Sequence, residues 1–269
     1  KRIKGSTITL EEYDVLKWAF AGGFVHANPF YTNKILHDVR SFDFTSSYPA
    51  VMVGEKYPMS AGERITITSK EQFNDCIDNY CCVFVARFTD VHSLVMFDNP
   101  ISASKCRELK NVVLNNGRVV SADSFTLALT NVDYRVYEKF YKWEKCEIYV
   151  LYRYKAGYLP REFVDSILTF YENKTKLKGV KGKESEYLHD KENVNSCYGM
   201  TVTDILRDMH MLDGDEWIVD KNGVGIESTA GLSQAEIDEI MSKHKGSKIS
   251  LWYLTQVNRQ AEIDKYNKN

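Results

Sequence analysis

The sequence predicts an α+β fold: a β-rich middle, residues 51–157, between segments of helical periodicity. Three observations carry this. Tyr80 to Phe88 and Ser93 to Phe97 are short apolar, aromatic and β-branched runs of strand type. Asn116-Gly117 stands between Val112-Val113-Leu114 and Val119-Val120, a two-residue hairpin signal. After Pro160 the apolar residues Phe163, Ile167, Leu168, Phe170 and Tyr171 fall on one side of a helix.

In chain order, the first element is a helix over residues 8–20, with Ile8, Leu10, Tyr13, Leu16, Lys17 and Phe20 at helical spacing and Thr9 as N-cap before Glu11 and Glu12. Residues 35–45 read as a strand, and Ser47-Tyr48-Pro49 as the turn that ends it, because proline fixes φ. The strand runs and hairpin of the middle follow. Asn131 is placed to cap a helix through Tyr141, and Glu147 to Tyr154 is strand-like again. The Pro160 helix ends in Lys174, Lys176 and Lys178, then Lys181 and Lys183, and a helix from about Glu184 to Tyr198 follows. Trp217 to Ile226 reads as a hairpin about Asn222-Gly223, and Ser233-Gln234-Ala235-Glu236 as a capping box opening a helix to about His244.

Composition narrows the classes. The chain has 269 residues, 43% hydrophobic and 27% charged, enough for one large core or two small ones. A net charge of −2 means that any contact with nucleic acid must rest on local charge, not on a global basic field. The 17 Tyr and 13 Phe suit base stacking as well as core packing. The six cysteines form no C-x-x-C pair, and no histidine stands at zinc-ligand spacing, so they read as free thiols of a reducing cytoplasm. No signal peptide or apolar run of membrane-spanning length is present. The chain starts at Lys1 without a methionine and so reads as a piece of a longer protein.

Two short segments carry the chemistry. In Asp43-Phe44-Thr45-Ser46-Ser47-Tyr48-Pro49, a carboxylate at a strand end suits Mg²⁺, and an aromatic ring nearby can lie under a nucleotide sugar and exclude a 2′-hydroxyl. The same residues also fit a plain strand-to-turn junction with a solvated Asp and a packed Tyr. In Lys191-Glu192-Asn193-Val194-Asn195-Ser196-Cys197-Tyr198-Gly199, the residues Lys191, Asn195 and Tyr198 share one helical face. A lysine there can meet a triphosphate, Asn195 can hydrogen-bond to a nucleotide, and Gly199 lets a backbone approach closely. A helix ending at a glycine C-cap fits equally. A third element, Ala19 to Phe24 with Gly22-Gly23, lies about 20 residues before Asp43 and could bring backbone N–H groups to a phosphate. Asp213-Gly214-Asp215-Glu216 reads as an acidic turn, not as a second carboxylate pair for a metal.

Taken in this order, the segments resemble the first two active-site motifs of family B DNA polymerases, D-x-x-S-L/I-Y-P and K-x-x-x-N-S-x-Y-G. Ala19 to Phe24 resembles the Y-x-G-G/A segment that tracks the template. The likeness spans roughly residues 15–205 and is greatest to the small phage branch, whose members are often protein-primed. Ser47 stands in place of Leu or Ile, and Phe20 in place of Tyr. The third motif, Y-x-D-T-D-S/T, is absent from the sequence.

The resemblance implies a partial polymerase palm with helical fingers. Residues 1–50 would be a palm segment, 51–157 an insertion like the terminal-protein region, 158–200 the fingers, and 201–269 a second insertion of hairpin plus helix. It implies template-directed transfer of a dNMP by a two-metal mechanism. Asp43 and the carbonyl of Phe44 would hold Mg²⁺ or Mn²⁺. Tyr48 would select the dNTP sugar, Phe44, Ser46 and Ser47 would lie with it at the nucleotide, and Lys191, with Lys174 or Lys178, would grip the triphosphate. Asn195 and Tyr198 would meet the nascent pair. Gly22, Gly23, Tyr198 and Gly199 would lie along the DNA. The implied partners are template–primer DNA and a terminal protein, with no membrane, in the cytoplasm of a bacterial cell from a phage or prophage gene. Without the third-motif aspartate, the isolated chain is expected to be inactive. The rival expectation is a non-enzymatic module that binds DNA or terminal protein.

Overall fold

A computed structural model describes residues 7–26, 29–201, 210–213, 216–219 and 259–268. The chain divides into two units, Lys1–Gly199 and Met200–Asn269.

The first unit is built on one antiparallel sheet, so the fold is α+β as expected. Strand β3 (Tyr80–Ser93) is its axis. It pairs along one edge with β6 (Arg118–Thr130) and along the other with β8 (Lys145–Gly157). β1 (Tyr57–Pro58) and β2 (Glu63–Ile65) pair with β8, β4 (Arg107–Lys110) and β5 (Val113–Asn115) with β6, and β7 (Tyr141–Lys142) with β3. Because β3 is paired on both edges from Val83 to Thr89 and on at least one edge on either side, the two short strands expected over 80–97 are one strand of 14 residues, and the second run is loop beyond Ser93.

Both faces of the sheet are covered, which is why Cys82 to Ala86 is a continuous buried run and not an alternating one. On one face Phe84, Ala86 and Phe88 pack with Phe73, Cys76 and Ile77 of helix α3 (Lys70–Asn79) and with Tyr134 of helix α4 (Asn131–Phe140). On the other face Val83 and Val85 meet Val15 of helix α1 (Leu10–Ala19), with Tyr152 and Tyr154. α1 starts as its sequence requires: the Thr9 hydroxyl accepts the Glu12 N–H at 3.1 Å and Glu12 reaches back to the Thr9 N–H at 3.3 Å. Glu12 is itself 2% exposed and accepts the Tyr154 hydroxyl at 2.7 Å. Burial, with this bond to a carboxylate, pushes the Tyr154 phenol above its ordinary pKa.

The hairpin at Asn116-Gly117 forms as read, with Asn116 at φ 48° and Gly117 at φ 71° and with Asn115 opposite Arg118. The cap of α4 is Thr130, one residue before the expected Asn131. Thr130 and Asp133 form a reciprocal capping box, and the Asn131 amide oxygen instead accepts the Cys82 N–H at 3.0 Å, tying α4 to β3.

Residues 35–45 are not a strand. Ile35, Val39, Phe42 and Phe44 are apolar enough to suit one, yet all are exposed and no described strand pairs with them. A strand needs a ladder as well as a composition. Ser47-Tyr48-Pro49 is not a turn but the first turn of helix α2 (Ser47–Gly54), where proline's missing N–H costs nothing. Helix α5 (Arg161–Leu177) follows Pro160, and helix α6 (Glu184–Thr201) runs through Gly199 without ending there. The loop between these two helices carries two left-handed glycines, Gly179 and Gly182.

In the second unit, β9 (His210–Asp213) pairs antiparallel with β10 (Glu216–Val219). Asp213 and Glu216 are therefore opposite each other, and Trp217 pairs backward with Leu212. The expected pairing about Asn222-Gly223 and the helix from Ser233 lie outside the described residues. Helix α7 (Arg259–Lys268) was not foreseen, and its Ile263 is buried.

Candidate nucleotide site

The two sequence motifs meet in the first unit. Met52 of α2, Ile167 of α5 and Cys197 of α6 are buried together, with Phe163, Phe170 and Tyr198 against them. This small apolar cluster packs the three helices together.

Two polar and aromatic contacts sit on it. The Lys174 ammonium donates to the Ser46 hydroxyl at 2.8 Å, joining α5 to the residue before α2. Ser46 is left-handed, at φ 52° and ψ 46°, and its side chain caps no helix N–H. A serine at that position ordinarily caps; here its oxygen is turned to Lys174. The same ammonium lies 5.4 Å from the centre of the Tyr171 ring. The second contact is between rings: Tyr48 and Tyr198 stack with centroids 4.3 Å apart at 23°. Tyr48 is half exposed, so the stack is open on one side.

Lys191 and Asn195 stand exposed on α6 at the spacing that shares a face with Tyr198. Four of the expected site residues, Ser46, Tyr48, Lys174 and Tyr198, are thus joined in two contacts. Among the described residues, no hydrogen bond, ion pair or ring contact brings Asp43, Phe44 or Lys178 to them; all three side chains are exposed. Gly22, Gly23 and Gly199 face open space, since a Cβ added to any of them would meet nothing within 4 Å. Tyr171 was read only as an apolar helix position, and its i, i+3 spacing from Lys174 on the helix was the signal that would have placed its ring beside the ammonium.

Chemically, this group can bind a planar ring beside an anion. An aromatic pair with one open side offers stacking. Lys174 and Lys191 offer point charges. As to a divalent cation, Asp43 is one exposed carboxylate, and among the described residues no three His, Cys, Asp or Glu side chains converge. An octahedral Mg²⁺ needs more oxygen ligands than Asp43 and a neighbouring carbonyl supply.

A profile of the family described as DNA polymerase type B, organellar and viral, matches residues 5–259. The chain belongs to that family. No curated protein matches it. Among solved structures, this type B chain is similar to the Phi29 DNA polymerase. Against its ternary complex with primer-template DNA and incoming nucleotide substrates, the TM-score is 0.59 at 19% identity, over 80% of this chain and 36% of that one. The post-translocation binary complex with primer-template DNA gives 0.59 at 21%, over 80% and 36%. The complex with single-stranded DNA gives 0.56 at 19%, over 79% and 35%. At these identities the likeness is one of fold, and the chain spans about a third of the length of those polymerases. Among the described residues, no helix is long and apolar enough to cross a membrane.

Proposed function

We propose that the group on α2, α5 and α6 is the nucleotide-binding side of a template-directed DNA polymerase. The observation that carries this is the Tyr48–Tyr198 stack, which brings a residue of the first motif against a residue of the second. A dNTP entering here would part the two rings, place its sugar over Tyr48 and its base against Tyr198. Tyr48 would exclude a 2′-hydroxyl. Lys191, with Lys174 and Lys178, would hold the triphosphate, and Asn195 would hydrogen-bond beside the nascent pair. Ser46 would hold Lys174 in place, and Ser47, next to Tyr48, would line the sugar side. Gly22, Gly23 and Gly199 would let DNA backbone approach.

In the reaction of the whole polymerase, a 3′-hydroxyl, or a terminal protein's hydroxyl during priming, attacks the α-phosphorus. The bond to pyrophosphate breaks as the new P–O bond forms. Divalent metal would neutralise charge on the phosphates. Asp43, with the carbonyl of Phe44, would supply part of the hold on Mg²⁺ or Mn²⁺. The remaining carboxylate oxygens would have to come from elsewhere, so the chain by itself should extend no primer. Mg²⁺-dependent extension that Asp43→Ala abolishes would overturn this last point. In this reading residues 1–50 form a palm segment, 51–157 a terminal-protein-region-like insertion, 158–200 the fingers and 201–269 a second insertion.

Nucleotide binding tests the proposal. Titration with a fluorescent dNTP should saturate, and Lys191→Ala should weaken it by about ten-fold through loss of a charge-assisted contact to phosphate. DNA binding with no measurable dNTP binding, or dNTP binding indifferent to Lys191→Ala, would favour a non-enzymatic binding module.

A further inference from the structure

Lys174, Lys176 and Lys178 close helix α5, and each is held differently. The Lys176 ammonium lies 2.6 Å from the Glu172 carboxylate, one turn back on the same helix. Lys178 is the exposed C-cap. Lys174 is turned inward, its ammonium between the Ser46 hydroxyl at 2.8 Å and the ring of Tyr171, 5.4 Å from the ring centre.

The chemical consequence lies in what these neighbours are. A carboxylate that fixes a lysine also cancels its charge, as Glu172 does for Lys176. A hydroxyl and a π face fix the ammonium and leave its charge whole. Among the described residues, Lys174 makes no ion pair. The helix itself places Tyr171 for this. Side chains on an α-helix lean towards its N-terminus, so the stem of Lys174 crosses the turn that carries Tyr171, three residues back. A lysine stem is flexible, and without the ring its ammonium would spread through solvent. Nor is Tyr171 spent on the core. It is half-buried, and the cluster of Met52, Ile167 and Cys197 takes Phe163 and Phe170 from α5 instead.

We propose that Tyr171 is a positioning residue for the nucleotide: it keeps the Lys174 ammonium at Ser46, with its charge uncancelled, where a triphosphate enters. Tyr171 touches no substrate and acts through Lys174. It lies outside both sequence motifs, and its role rests on the reading of α2, α5 and α6 as a nucleotide site.

The test uses the full chain, the fluorescent dNTP, and a mass-spectrometric map of lysine acetylation by limiting acetic anhydride. Tyr171→Leu keeps an apolar body and removes the π face; Tyr171→Phe keeps the ring. In the parent chain Lys174 should acetylate more slowly than Lys178. Tyr171→Leu should speed the reaction of Lys174 several-fold, leave that of Lys178 unchanged, and weaken dNTP binding about five-fold. Tyr171→Phe should follow the parent in both readouts. In a Lys174→Met background, Tyr171→Leu should have no further effect on dNTP binding, because the ring then has no cation to hold. A tyrosine that only packs would weaken binding by the same factor in both backgrounds, and that outcome overturns the proposal. So does dNTP binding that Lys191→Ala weakens and Tyr171→Leu leaves unchanged, a result that the nucleotide reading survives. A parent chain that binds no dNTP overturns the nucleotide reading and this role together.

Discussion

The rings of Tyr48 and Tyr198 lie 4.3 Å apart, face to face, although one stands at the start of α2 and the other near the end of α6. In the proposed site, each ring would fill the place that a sugar or base needs. Binding should therefore expose Tyr48 to a ligand face, and discrimination should depend on its bulk. Tyr48→Ala is expected to raise ribonucleotide binding relative to deoxyribonucleotide binding by about ten-fold or more. Paired titrations with dATP and ATP measure the ratio, and an unchanged ratio removes Tyr48 from the sugar site.

Ser46 carries two opposing effects. Its left-handed backbone costs a non-glycine residue about 1 kcal/mol, while its hydroxyl holds Lys174. Ser46→Gly should leave stability unchanged or raised by about 1 kcal/mol and at the same time weaken dNTP binding several-fold, because Lys174 loses its anchor. Ser46→Ala keeps the backbone cost and should be the less stable of the two. Urea denaturation and the dNTP titration, run on the same preparations, separate the effects.

Under the sheet, Glu12 depends on Tyr154 for a hydrogen bond. Tyr154→Phe strips a donor from a buried carboxylate and should cost about 1–3 kcal/mol in denaturant unfolding. Gly62→Ala should also destabilise, since a Cβ there would come within 2.9 Å of the Tyr154 ring and closer still to the Glu12 carboxylate. If either variant unfolds with the parent chain, the Glu12 site is not a structural anchor.

Alkali should loosen the first unit over a definite range. Burial pushes the thiols of Cys82, Cys106 and Cys146 up to about 12 from an ordinary 9, and it raises the phenols of Tyr134, Tyr137 and Tyr141. These groups stay neutral in the fold after the unfolded chain has begun to ionise. Unfolding then releases protons, so stability is full below pH 9 and falls as pH rises from 9 towards 12. A Tm that is flat across that range would contradict the burial of these groups. At pH 8 the same three thiols should react slowly with iodoacetamide, which intact mass reads directly.

Local rules carried much of the fold. Thr9, the Asn116-Gly117 turn and the helix behind Pro160 are set by neighbours a few residues away, and each stands where its sequence put it. The failures share a different cause. Val39 and Phe42 have strand composition, but a strand depends on a pairing partner that their own residues do not encode. Gly199 has C-cap composition, but α6 continues past it, with Val194 and Cys197 buried on its inner face. At the site, the motif residues were legible because their types recur at fixed spacing. That Ser46 would meet Lys174, or Arg118 would meet Phe24, was not, because those pairs form only when distant helices and loops are already in place.

The central position of β3 also fixes an order of events during synthesis. Its 14 residues leave the ribosome before either neighbour exists, and its second edge cannot close until β8 ends at Gly157. At about 5–20 residues per second, that interval lasts roughly 3–13 s. Throughout it, a strand as apolar as Val83-Phe84-Val85 has at least one open edge, which can pair with another nascent chain. Yield of folded protein should therefore depend on elongation rate and on how crowded the translating ribosomes are.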